Sequence, residues 1–180
     1  PPTYKKHFYY RARQVAEREQ RAQMGHELAA RFEVMLQKYT YEEYFNRVKS
    51  GDPTKLVVVI DEFQYIARKD PTFMEAVLKL KAHRLYPGPV MILLCSSAVS
   101  WAERELAECI GEAACRKIDQ KIKFTNLNFL EVVRALPEYP VAECIKTYGI
   151  IGGVPGYINR WNAKADLKTN ICRLILSPGG

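Results

Sequence analysis

The sequence predicts an α/β chain, a parallel sheet with flanking helices followed by a small helical region. Three observations carry this. Two short apolar runs, 56–60 and 90–95, enclose an amphipathic helical pattern. Strand, helix, strand within about forty residues is a βαβ unit, in which parallel strands take a right-handed crossover. Beyond residue 128 the pattern is helical to the end of the chain.

The elements follow in order. His7-Phe8-Tyr9-Tyr10-Arg11 is an aromatic-rich strand. Met24, Leu28, Phe32, Met35, Leu36 and Tyr39 recur at helical spacing, which places them on one face of a long helix. A shorter helix covers 41–49, and Ser50-Gly51-Asp52-Pro53 breaks the chain. Leu56 to Ile60 is five apolar, mostly β-branched residues, the signature of a strand covered on both faces. Asp70-Pro71 opens the next helix as N-cap and first helical residue. Phe73, Met74, Val77, Leu78, Leu80 and Leu85 form its apolar face, and Pro87-Gly88-Pro89 ends it. Val90 to Cys95 is a second buried strand. Residues 99–109 are helical with Trp101 and Leu106 as anchors. The alternation from Lys117 to Phe124 predicts a strand with one wet face. Asn128 and Glu131 make a capping box for a helix through Leu136. The helical tail is broken near Gly149 to Gly153.

Composition narrows the function. Apolar residues are 48% and charged residues 26%, ordinary for a globular protein. No apolar run reaches the roughly 18 residues of a membrane span, so no membrane partner is expected. The 27 cationic and 20 anionic side chains leave +7, compatible with an anionic partner. Five scattered cysteines without a Cys-x-x-Cys pair read as reduced thiols in a cytoplasmic protein.

Chemistry concentrates in three places. Val57 to Ile60 followed by Asp61-Glu62 is the Walker B pattern. In open α/β sheets ligands sit beyond the carboxyl ends of the strands. One carboxylate there can hold magnesium through water while its neighbour polarises an attacking water. The plain alternative is a strand ending in two solvated acids. Cys95-Ser96-Ser97 closes the adjacent strand, where a hydroxyl can orient water or meet a terminal phosphate; otherwise it only starts a loop. Gly152-Gly153-Val154-Pro155 allows close backbone approach and a helix start, or is simply a connection between helices.

Together, Val59-Ile60-Asp61-Glu62-Phe63-Gln64-Tyr65, then Cys95-Ser96-Ser97 with Val99-Ser100, then Gly152-Gly153-Val154-Pro155-Gly156-Tyr157 resemble the prokaryotic P-loop ATPases of the AAA/STAND group, over nearly the whole chain. The resemblance implies a P-loop NTPase fold with an ATPase core over 1–127 (strands two to five) and a helical lid over 128–180. It implies ATP and Mg2+ as ligands. Asp61 would coordinate the magnesium shell, Glu62 would activate water and Ser97 would be the sensor. Arg116 would face the γ-phosphate from just before the fifth strand, and Pro155 would pack near the adenine. A fused C-terminal domain could bring a nucleic acid.

The family's Gly-x-x-x-x-Gly-Lys-Ser/Thr phosphate loop does not occur in the sequence. Residues 7–21 resemble the family's second strand and following helix. The chain therefore reads as beginning after that loop, with both ends as cuts through a longer protein, and as inactive alone. In the family order 5-1-4-3-2, strand one separates strands five and four. Its absence would bare an apolar edge at 90–95 and invite self-association. The main rival is a nucleic-acid-binding or scaffolding module without ATPase activity. It would use Arg11, Arg13, Arg18, Arg21 and Arg31 with Tyr9, Tyr10 and Tyr39, although Glu17, Glu19, Glu27 and Glu33 interleave with them. A cysteine or histidine enzyme has less support, since His7, His26 and His83 lack evident partners.

Overall fold

A computed structural model describes residues 6–48, 55–82 and 88–177. The backbone divides into two compact units, Pro1–Gln120 and Lys121–Gly180.

The first unit holds a three-stranded parallel sheet, β1 (Lys6–Arg11), β2 (Leu56–Asp61) and β3 (Val90–Leu94), in spatial order β1-β2-β3. Helices α1 (Glu17–Phe32) and α2 (Tyr41–Arg47) connect the first two strands. Helices α3 (Gln64–Ala67) and α4 (Pro71–Lys81) connect the second pair. Both crossovers step in the same direction, so right-handed connections lay both helical layers on one face. That face is the core. Phe8 and Tyr10 from β1, Leu56, Val58 and Ile60 from β2, Met24 and Leu28 from α1, Tyr44 and Phe45 from α2 and Phe73 and Leu80 from α4 are all buried in one cluster.

The opposite face follows by the two-residue strand period. The register aligns His7, Val57 and Met91 in one row and Tyr9, Val59 and Leu93 in the next. Tyr9 is 55% exposed, Met91 42% and Leu93 40%, while Val57 and Val59 are half-buried. The sequence predicts strands covered on both faces, and the structure corrects this. Continuous apolar runs are present, but among the described residues one face is buried in the core and the other is half-buried to exposed.

Three further expectations change. The long helix stops at Phe32, because Glu33 adopts the left-handed conformation (φ 53°) and caps it. Met35 and Tyr39 therefore leave the helix and are exposed. No strand forms at 117–124 among the described residues. Alternation makes a strand only where a neighbouring edge supplies hydrogen bonds; here Ile122 and Phe124 are exposed, and a short helix α7 (Glu112–Cys115) precedes the segment, after α5 (Val99–Arg104) and α6 (Leu106–Ile110). Leu85, Pro87 and the 50–53 breaker lie outside the described residues. Asp70 caps α4 as expected, its carboxylate accepting from Thr72 N–H, and Trp101 and Leu106 are buried.

The second unit packs α8 (Phe129–Ala135), α9 (Val141–Ile151), α10 (Pro155–Arg160), α11 (Leu167–Ile171) and a π-helical turn (Cys172–Leu176) around Val132, Leu136, Cys144, Ile158, Trp161 and Leu174. The Asn128–Glu131 capping box is present in both directions. A second break, after Trp161, goes beyond the single break expected from the sequence. Buried Asn170 organises it: its amide donates to the carbonyls of Asn162, Ala165 and Asp166 and its oxygen accepts from Asn162 N–H.

Candidate functional site

The carboxyl ends of the three strands bring Arg11, Asp61, Glu62 and Ser97 together. β2 ends at Asp61, and the chain turns at once. Glu62 has φ 53°, a left-handed conformation that costs a glutamate free energy. The turn is fixed by Glu62 N–H donating to Asp61 Oδ1 (3.0 Å) and Phe63 N–H donating to the Cys95 carbonyl (3.0 Å). The second bond ties the start of α3 to the end of β3.

This geometry points Glu62 at the neighbouring strand end. Its Oε2 accepts from the Ser97 hydroxyl at 2.7 Å, from Ser97 N–H at 3.3 Å and from the Gln64 amide at 2.6 Å. Gln64 is buried, and its own Oε1 has no hydrogen-bond partner among the described residues. Asp61 Oδ2 accepts from the Tyr9 hydroxyl at 2.9 Å. Arg11 lies opposite Asp61 in the register, its Nε 3.7 Å from Asp61 Oδ2 and its Nη2 3.8 Å from Glu62 Oε1.

The charges respond to these contacts. The Gln64 amide, then the Ser97 hydroxyl, hold the Glu62 carboxyl below the ordinary carboxylate range; partial burial opposes them, and Ser97 N–H and Arg11 add to the lowering. Tyr9 is pushed up, chiefly because its hydroxyl is bonded to the Asp61 carboxylate. Burial, then the Asp61 charge, raises the Cys95 thiol. A carboxylate with three donors on one oxygen is a weak proton acceptor but a well-fixed one.

Of the residues singled out in the sequence, Asp61, Glu62 and Ser97 therefore meet. Arg116 lies just past α7, exposed, with its guanidinium 3.5 Å from Glu112. No fifth strand follows it among the described residues. Pro155 belongs to the second unit, exposed at the first position of α10. The glycines before it have structural reasons. Gly152 ends α9 at φ 58°, and a Cβ on Gly153 would fall 1.7 Å from the Leu127 carbonyl oxygen.

Tyr9 and Arg11 were named only for the nucleic-acid rival and Gln64 only as a letter of the motif string, so none was legible as part of this site. Only strand register could have found the first two, since Tyr9 and Arg11 share a face with Asp61 once β1 pairs β2. Two arginines of α1 are engaged within the unit. Arg21 bonds Glu17 and buried Asp70, both at 2.5 Å, and Arg31 stacks over Phe32.

No protein-family model matches the chain, and no curated protein or solved structure is significantly similar to it. The class that the structure defines is an α/β unit with a three-stranded parallel sheet and flanking helices. Among the described residues no helix is long and apolar enough to cross a membrane.

Proposed function

We propose that the ends of β2 and β3 form the cation- and water-holding half of a magnesium–nucleoside triphosphate site, in an ATPase module of the AAA/STAND type that the sequence resembles. One observation carries the reading. Ser97 Oγ is bonded to Glu62 Oε2, beside Asp61, across two adjacent parallel strands and 35 positions of sequence. Two solvated acids at a strand end have no need of that partner.

The residues fit the ligand by their donor chemistry. Asp61 and Glu62 offer hard oxygen ligands at the strand ends, where a magnesium ion shared with phosphates is held by one or two carboxylates. Magnesium, when bound, neutralises charge on the phosphate oxygens. Asp61 would bind it, positioned by Tyr9 and by Glu62 N–H. Glu62 would orient the attacking water through Oε1. Phosphoryl transfer asks for positioning more than base strength, so a lowered carboxyl suits this role. Ser97 would fix Glu62 and meet the terminal phosphate. Arg116 toward that phosphate and Pro155 toward the adenine are roles taken from the resemblance alone.

The phosphate grip itself is not supplied, because none of the 180 residues forms the glycine-lysine loop string. A strand bearing such a loop would pair at the open edge of β3, next to Ser97. The chain by itself is therefore expected to hydrolyse ATP negligibly and to bind it weakly. Against the nucleic-acid reading, Arg21 is taken up by Glu17 and buried Asp70 rather than presented on a basic stripe.

Titration with manganese and ATP, read by water-proton relaxation, tests the proposal. Weak enhancement that Asp61→Asn abolishes is expected. Enhancement unchanged by Asp61→Asn, or none at millimolar ligand, would overturn it.

A further inference from the structure

We propose that Arg11 is the resident counter-ion of the Asp61–Glu62 pair, placed on the side from which a divalent cation approaches, so that the cation must push it aside. This rests on the reading of Asp61 as a cation ligand. Asp61 Oδ1 accepts from Glu62 N–H and Asp61 Oδ2 from Tyr9. Glu62 Oε2 accepts from Gln64 and Ser97. Among the described residues, Glu62 Oε1 faces the Arg11 guanidinium, which also faces Asp61 Oδ2.

The guanidinium is held loosely. Its contacts of 3.7 and 3.8 Å exceed hydrogen-bond length, and its side chain is 66% exposed. Arg21 in the same unit shows what a structural arginine looks like here, with two contacts at 2.5 Å and 27% exposure. Arg11 therefore contributes charge without locking geometry. A cation bound to Asp61 Oδ2, with its water facing Glu62 Oε1, meets a like charge close by, and the long, solvated side chain can swing clear. Released, it becomes a free guanidinium at the rim, suited to a phosphate. Arg11 would thus oppose the metal alone and favour the metal together with an anion.

The test is manganese binding by the 180-residue chain, followed by the loss of the free-ion electron paramagnetic resonance signal, for the parent, Arg11→Gln, Arg11→Lys and Asp61→Asn. Arg11→Gln is expected to tighten manganese binding about three- to tenfold, the order of one opposing unit charge in a largely aqueous setting. Arg11→Lys should stay near the parent, and Asp61→Asn should lose binding. With pyrophosphate present the Arg11→Gln advantage should shrink or reverse. Equal or weaker manganese binding by Arg11→Gln, with Asp61→Asn still defective, would overturn the role of Arg11 and leave the cation site standing. Manganese binding indifferent to Asp61, or no binding by either the parent or Arg11→Gln, would overturn both. Thermal midpoints of the variants should lie within about 2 °C of the parent, which separates a charge effect from misfolding.

Discussion

Replacing Gly153 by alanine puts a methyl group where backbone already is. The new Cβ would lie 1.7 Å from Leu127 O, 2.5 Å from Leu127 C and 2.7 Å from Leu127 N. Real Cβ contacts essentially never fall under 3.0 Å, so the two segments must part by at least 1.3 Å. No rotamer change relieves this, because every clashing atom is backbone. Parting also breaks the 2.7 Å bond from Leu127 N–H to the Gly153 carbonyl. Overpacking costs about 1–3 kcal/mol, and the lost bond adds about 1 kcal/mol. The stiffer unfolded chain returns about 0.4–1 kcal/mol. The expected net is destabilisation of about 1–3.5 kcal/mol, confined to the second unit. Gly149 is the control. It lies inside α9 with nothing within 4 Å of its Cβ position, so Gly149→Ala should stabilise by about 0.5–1 kcal/mol. In a Trp101→Phe background buried Trp161 is the sole indole, and its fluorescence in urea reports this unit. A Gly153→Ala midpoint within about 0.5 kcal/mol of the parent would refute the close approach.

Other outcomes follow from the same contacts. Glu62 is held below its ordinary value of 4.5, so its contribution is full above that pH and is lost as the pH falls through the lower folded value. Glu62→Gln should flatten the acid limb of a stability–pH curve by about 1 kcal/mol, and an unchanged limb would count against the Gln64 and Ser97 bonds. Asn170→Ala removes the donor that closes the 162–166 break and should cost about 2–4 kcal/mol in urea unfolding; a loss under 1 kcal/mol would mean the turn stands without it. In the β3 ladder Cys95 N–H faces Ile60 O, so by alternation the Val90, Ile92 and Leu94 amides face outward. Their hydrogen exchange should be fast at low concentration, and it should slow together with a rise in light-scattering mass if a second copy pairs there. Slow exchange by a monomer would refute an open edge.

The parts of the fold that were legible are those written in local chemistry. Asp70-Pro71 and Asn128-Glu131 begin helices because the caps act within three residues. The apolar runs at 56–60 and 90–94 became strands. What sequence could not show depends on partners. Lys117 to Phe124 has strand alternation and no ladder to join. Met35 and Tyr39 continue a helical spacing past a residue that takes positive φ. The bare sheet face was hidden because Val57, Val59, Met91 and Leu93 read as core in any context; only the direction of both crossovers exposes them. At the site, Asp61, Glu62 and Ser97 were visible as motif letters. Tyr9, Arg11 and Gln64 entered through register and turn geometry, which no single-residue pattern encodes.

The uncovered face also sets the electrical character of the site. Tyr9, Val59 and Leu93 form one row of that face, and Asp61 continues the same side of β2 one pleat further on. The carboxylate thus has protein behind it and water in front. Its attractions carry their aqueous, salt-screened strength, and at physiological ionic strength they fade within about 8 Å. Any surface that lies down on Tyr9 and Leu93 displaces this water and lowers the local dielectric constant. The same Asp61–cation attraction then rises several-fold without a single side chain moving. Whatever clothes the sheet also sets the voltage at its rim.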